Sequence, residues 1–202
     1  MGERLAQVSR DSFPRPTPHS LPPTMHIVLG VTGGIAAYKA PDVVRRLRDV
    51  GADVRVILTP NAARFVSPLS LAAVSGNGVI IEQWGDSTHG GVDHVELARW
   101  ADLLLVAPAT ANILAKLVHG LADDALTCIA LALNPRAKIL VAPAMNGKMW
   151  LHPATQENAA KLKSRGAEFI GPDDGLLSCG YEGLGRLWPV EQVARRALEL
   201  VA

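Results

Sequence analysis

Aromatic residues are scarce, at 4% of the chain, so each Trp and Tyr position carries more information than usual. Cysteine is scarcer still. Cys128 and Cys179 are the only two, too few for a disulfide framework, and they read as free thiols in a reducing cytoplasm. Neither sign of charge is in excess. A formal net charge of +1 gives no reason to expect nucleic acid or an anionic membrane as partner. No apolar run reaches the length needed to span a bilayer. No metal site is expected. The G-x-G-x-x-G dinucleotide fingerprint is also missing: Gly30, Gly33 and Gly34 are spaced wrongly for it, and Asp53 is disfavoured as a ribose ligand. What remains is a 202-residue chain, 49% apolar and 19% charged, which predicts one domain with a real core.

Residues 1–24 stand apart. Pro14, Pro16, Pro18, Pro22 and Pro23 alternate with Ser and Arg and cannot build a core, so this stretch is expected to be a disordered extension, with the folded domain at 25–202. His26 to Thr32 is a β-branched apolar run, a strand. Gly33-Gly34 follows, then helical periodicity from Ile35 to Val50. Strand, glycine turn and helix together make an arrangement that cradles phosphate with backbone N–H groups, and this context favours phosphate binding over a turn needed only for packing. Asp53 to Leu58 is a second strand, ending in Thr59-Pro60-Asn61, where Thr59 reads equally as a helix cap or as a ligand contact. A short helix spans Ser67 to Val74 and a third strand Gly78 to Glu82. After a loop containing His89, His94 opens a helical pattern. The positive end of a helix dipole favours the neutral imidazole, suited to accepting a proton.

Ala101 to Val106 is a continuous apolar run, a strand buried on both faces. Thr110 and Asn112 then place a hydroxyl and an amide beside a helix N-terminus, with ordinary capping the competing reading for Thr110. Cys128 falls mid-helix among apolar residues and reads as core. A fifth strand, Ala137 to Val141, hands over to Ala142-Pro143-Ala144-Met145-Asn146-Gly147-Lys148-Met149-Trp150. This stretch reads as a stiff connection carrying an amide, two soft thioethers and one large apolar face. A helix from Thr155 to Arg165 and a sixth strand, Ala167 to Ile170, follow. Gly171 to Pro189 is glycine-rich and reads as a long structureless loop, a lid carrying the Cys179 thiol or a loop with an incidental cysteine. Val190 to Val201 closes the chain as an amphipathic helix.

Six strands, each leading into helical pattern, predict an α/β fold: a single Rossmann-like, doubly wound parallel sheet with helices on both faces. In such sheets ligands bind at the carboxyl ends of the strands. Gly33-Gly34, Thr59, Thr110, Asn112 and Asn146 all fall on that rim.

Five strings occur in order: V-T-G-G-I-A, H-V-E-L-A-R-W-A-D from His94, P-A-T-A-N, P-A-M-N-G-K-M-W, and Cys179-Gly180. As a set they resemble the flavin-dependent cysteine decarboxylases, homo-oligomeric flavoproteins that act on phosphopantothenoylcysteine in coenzyme A synthesis or on the C-terminal cysteine of lantibiotic peptides. The resemblance implies FMN at a subunit boundary, in a homotrimer or a dodecamer of trimers. It implies that Gly33, Gly34, Ile35, Thr59, Thr110, Ala111, Asn112 and Ala144 contact FMN. It makes His94 the base and has Asn146 hold the substrate carboxylate with Met149 beside it. Arg99 or Lys39 would help bind the substrate phosphate, and Cys179 would donate a proton in the last step. In the implied chemistry the CH2–SH group is oxidised to a thioaldehyde and CO2 leaves as from a β-keto acid. The resulting enethiol is reduced to the saturated thiol, a step that the peptide-modifying members omit. Cys179 favours the full cycle and the coenzyme A substrate. Bacterial members are often fused to a synthetase domain, so this chain is expected to be a stand-alone decarboxylase or an excised domain. A flavin prenyltransferase is disfavoured by the paired H-V-E-L and P-A-M-N-x-x-M-W strings. A phosphatase-inhibiting subunit is disfavoured by the presence of His94, Asn146 and Cys179 together.

Overall fold

The computed structural model describes residues 25–81, 93–176, 180 and 182–201. Six parallel strands form one sheet: β1 (His26–Val31), β2 (Asp53–Leu58), β3 (Val79–Ile80), β4 (Leu103–Ala109), β5 (Lys138–Pro143) and β6 (Glu168–Phe169). Their spatial order is β3-β2-β1-β4-β5-β6. The order reverses between β1 and β4, which opens a crevice at their carboxyl ends.

Alternation along the central strands explains why both faces are covered. Ile27, Leu29 and Val31 enter one core and Val28 the other; likewise Leu103 and Leu105 oppose Leu104 and Val106. The first core is closed by α1 (Ala40–Asp49), α2 (Pro68–Ser75) and α8 (Val190–Glu199). The second is closed by α3 (Asp93–Trp100), α4 (Ala111–His119), α5 (Ala125–Ala132) and α7 (Pro153–Ser164). Gly30 serves the second core: a Cβ there would lie 2.4 Å from Leu126 Cδ1, so its bareness lets α5 sit close on the sheet. The β4–β5 register shifts between Val106 and Ala109, so Ala107 and Ala109 face opposite cores. Such an irregularity re-aims the strand's end at the crevice.

The sheet matches the expected six strands, with β4 reaching three residues further than its apolar run suggested. Three expectations need correction. The single helix expected over Ile35 to Val50 is a 3-10 turn at Ile35–Lys39 followed by α1, because Pro41 fits the first helical turn and not an interior. The helix that Thr59 would cap is only a 3-10 turn, Ala62–Arg64. The stretch expected as a structureless loop holds an antiparallel hairpin, β7 (Asp173–Leu176) and β8 (Glu182–Arg186). Its pairs include Gly175 with Gly183, and its apolar residues do not alternate cleanly, so hydrophobic periodicity gave no strand signal there. The extension at 1–24, His89 and Cys179 lie outside the described residues. Among the described residues no helix is long and apolar enough to cross a membrane.

Candidate active site

The crevice at the sheet reversal opens into a cleft of about 400 Å³. Four pieces of chain build it: the turn after β1, Thr110 at the end of β4, the loop after β5, and the β7–β8 hairpin.

The turn after β1 is anchored by Thr32, which is buried. Its hydroxyl donates to Pro108 O at 2.7 Å and accepts from Thr110 N at 3.1 Å. One hydroxyl therefore ties the ends of β1 and β4 together, and sets Gly33-Gly34 against Thr110. The two glycines are bare for different reasons. A Cβ on Gly33 would lie 2.4 Å from Asn61 Cβ, so that position is filled by the neighbouring loop. A Cβ on Gly34 would meet only the Thr110 methyl, at 3.6 Å, an ordinary contact. Gly34 has φ −141°, open to any residue. Protein packing therefore does not explain the glycine at 34, which leaves its backbone bare beside the cleft.

Thr110 caps α4, its hydroxyl accepting from Ile113 N at 3.4 Å, so the capping reading holds and the residue also lines the cleft. Thr59 behaves otherwise. The 3-10 turn after β2 is bonded to the Thr59 carbonyl, and the Thr59 hydroxyl is buried with no hydrogen-bond partner among the described residues. An orphaned buried hydroxyl on the ligand rim is a polar contact awaiting a partner.

The stretch after β5 is a helix start as well as a connection: α6 (Gly147–Leu151) begins at Asn146, whose Oδ1 accepts from Lys148 N at 2.9 Å. Trp150 is buried in the second core, whereas Met149, 50% exposed, and Met145 line the cleft. Ala144 N donates to Ala109 O and Met145 N to Gly185 O, both near 3 Å, which fastens this loop between β4 and the hairpin. The hairpin contributes Leu176, Gly185 and Arg186 as the remaining wall.

The cleft thus gathers Gly33, Gly34, Ile35, Lys39, Thr110, Ala144, Asn146 and Met149 of the residues singled out from the sequence. Thr59, His94, Arg99, Ala111 and Asn112 are not among its lining. His94 is half-buried at the start of α3, on the side of the second core, and Arg99 is exposed on the same helix. Asn112 is exposed at the start of α4. Asp53 lies at the amino end of β2, away from the ligand rim, accepting from Asn77 Nδ2 at 3.0 Å. Cys128 is buried in α5, as its pattern implied.

Sequence reasoning missed Thr32, Tyr38, Leu176 and Arg186. The signal for Arg186 was present in Gly183-Leu184-Gly185-Arg186, since glycines two apart before an arginine suit a close-packed ribbon carrying a cation. Charge there is set by Arg186, which pairs with Asp173 across the hairpin through Nε at 3.2 Å and through a second, shorter contact of its terminal nitrogen. The Arg186 guanidinium, with Lys39 nearby, holds the Asp173 carboxyl below the usual carboxylate range.

The Flavoprotein family model matches residues 17–201. Over 168 residues the chain is 48% identical to the coenzyme A biosynthesis bifunctional protein CoaBC of Haemophilus influenzae, covering 83% of this chain and 42% of that one. The chain therefore spans less than half the length of such curated relatives. Among solved structures, a PPC decarboxylase variant complexed with pantothenoylaminoethenethiol is 31% identical with a TM-score of 0.78, covering 87% of this chain and 97% of that one. The FMN-dependent cysteine decarboxylase SpaF is 33% identical with a TM-score of 0.76, covering 88% and 98%.

Proposed function

The chain belongs to the Flavoprotein family, and on that premise we propose that it is an FMN-dependent decarboxylase converting 4′-phospho-N-pantothenoylcysteine to 4′-phosphopantetheine. The observation that carries this reading is the single cleft at the sheet reversal in which Gly33-Gly34, Thr110, Ala144, Asn146 and Met149 meet. The residues fit a flavin mononucleotide. Gly34 keeps its backbone bare toward the ligand side, and the buried Thr59 hydroxyl requires a partner.

Bound FMN supplies the two-electron oxidation of the cysteine CH2–SH group and its later reversal. The protein's work is orientation and proton transfer. Gly33, Gly34, Ile35, Thr110 and Ala144, which line the cleft, would hold the cofactor, with Thr59, Ala111 and Asn112 beside them on the same rim. Asn146 meets the substrate carboxylate through its amide N–H2, since an amide can offer a carboxylate nothing else and its Oδ1 is turned to Lys148 N. Met149 covers the substrate from the apolar side. His94, at the start of α3, accepts a proton as the base. Cys179 returns a proton to the enethiol carbon in the reductive step.

A homo-oligomer completes the site, with a second copy bringing His94 to the cleft of the first. Two features support this: His94 is not in the lining of its own cleft, and the mouth is flanked by the exposed apolar side chains Ile35, Met149 and Leu176.

The deciding experiment incubates the purified flavin-loaded protein with 4′-phosphopantothenoyl-L-cysteine and weighs the product. Saturated 4′-phosphopantetheine is expected. An enethiol two hydrogens lighter moves the protein to the peptide-modifying class, and unchanged substrate refutes the decarboxylase reading. Cys179→Ser is expected to stop at that enethiol with the flavin left reduced; a normal product would make the thiol incidental.

A further inference from the structure

The two strands at the sheet reversal lose their regular pairing just before the cleft. The last paired positions of β1 and β4 are Gly30 and Val106. Beyond them β4 carries Pro108, which has no N–H to give a neighbouring strand. Thr32 joins the strands there instead. Its backbone N–H and its hydroxyl both donate to Pro108 O, at 3.3 and 2.7 Å, and the same hydroxyl accepts from Thr110 N at 3.1 Å. A hydroxyl has one proton and two lone pairs, so this side chain serves an acceptor and a donor of β4 and its end at once. Thr32 is 2% exposed, so water hardly competes for these bonds.

Three parts of the cleft wall depend on this one residue. Gly34 N donates to Thr32 O at 2.9 Å, and Ala37 N to Gly34 O at 2.9 Å, so the glycine turn is fastened to the Thr32 backbone. Thr110, gripped through its N–H, caps α4, and its methyl is what a Cβ on Gly34 would meet. Ala109 lies between the two residues that Thr32 grips. Its carbonyl accepts from Ala144 N at 3.0 Å, which passes the position of β4 on to the loop that carries Asn146. Thr32 itself is not among the residues lining the cleft.

We propose that Thr32 is a positioning residue for the cofactor: its hydroxyl holds the glycine turn and the start of α4 at the separation that admits FMN, without touching FMN. The proposal rests on the cofactor part of the reading above. Valine has the shape of threonine without the hydroxyl. In Thr32→Val the Thr110 N–H loses its partner and Pro108 O keeps only the longer bond from Thr32 N, so the end of β4 is released from the glycine turn. Serine keeps the hydroxyl and gives up only the methyl.

The test measures the FMN dissociation constant of the flavin-loaded protein, from the recovery of free-flavin fluorescence on serial dilution. The proteins compared are wild type, Thr32→Val, Thr32→Ser and Ile129→Val. Ile129 is fully buried in the second core on α5 and does not line the cleft, so its truncation reports what a loss of stability does by itself. Thr32→Val should raise the dissociation constant by roughly 5- to 100-fold, the range for leaving a buried polar group unpaired. Thr32→Ser should stay close to wild type. Ile129→Val should bind FMN as wild type does while its urea midpoint falls. Wild-type binding in Thr32→Val overturns the proposal. So does a Thr32→Ser that binds as weakly as Thr32→Val, which would make the methyl the cause, or an Ile129→Val that loses flavin as readily, which would make general stability the cause. If Thr32→Val does not fold, Thr32→Ala set against Thr32→Ser carries the same comparison. A wild type that takes up no FMN defeats the cofactor reading and this proposal with it, whereas a wild type and a Thr32→Val that bind FMN equally defeat the positioning role alone.

Discussion

Two adjacent glycines make opposite experimental statements. Gly33→Ala would press its methyl into Asn61, at 2.4 Å from Asn61 Cβ and 2.9 Å from its carbonyl carbon, and backbone must move to relieve that. A loss of about 1–3 kcal/mol is expected in urea unfolding. Gly34→Ala meets nothing closer than 3.6 Å. Its unfolding midpoint should match wild type without flavin, while flavin retained through gel filtration falls. If flavin retention is unaffected, the bare backbone at 34 is not a cofactor contact. His94→Asn should abolish turnover while the 450 nm region of the flavin spectrum persists; retained product formation would remove His94 as the base. At this scale the sequence was informative wherever a residue's role follows from its chemistry. Asn146 and Thr110 were readable as ligand-rim polar groups, and both also cap helices. Thr32 was not readable, because nothing in a threonine ending a strand announces that it will bridge two strands distant in sequence.

The α4–α5 corner shows how an element can be held by charge. Asp124 begins α5 in a capping box with Thr127, and Lys116 of α4 contacts both Asp123 and Asp124. Burial alone would raise the Asp124 carboxyl, but Lys116 and the Thr127 donors outweigh it and hold it below the usual range. Burial likewise pulls Lys116 down, and the two carboxylates outweigh it and hold it above the usual lysine range. A carboxyl lowered by folding stabilises the fold above its unfolded-state value, and that contribution is lost as pH falls through the lowered one. An amine raised by folding stabilises below its unfolded-state value and loses that contribution only as pH rises through the raised one. Asp124→Ala should therefore cost about 1–2 kcal/mol at pH 7. The gap from wild type, followed by urea unfolding across pH, should close in acid below the carboxylate range. A gap that persists there would assign the effect to packing. Element boundaries were legible where cap and periodicity agree, as at α4, whose Thr110 cap precedes an amphipathic pattern. They were not legible in the hairpin: Asp173, Asp174, Gly175 and Leu176 carry no strand propensity, and long-range pairing with Glu182–Arg186 makes them a strand.

At the scale of the whole molecule the expected test is subunit complementation. Mixed assembly of His94→Asn chains with Asn146→Asp chains should recover part of the activity that neither variant shows alone, if the two residues meet across copies. Recovery absent in a verified hybrid assembly would place both residues in one chain's site. The sequence by itself determined the six-strand α/β alternation, the glycine turn, the apolar central strands and the set of residue types on the ligand rim. These follow from local periodicity and from chemistry carried by single residues. Only the tertiary structure decided which of those residues share a cleft. Strand order places β4 beside β1, and that adjacency joins Gly34 to Thr110 through Thr32. The fold also decided that Arg186 faces the site, because hairpin pairing and the Met145–Gly185 bond bring together residues 40 positions apart. Sequence spacing cannot fix such contacts, since many chain paths satisfy the same local preferences and only the shared burial of both sheet faces selects among them.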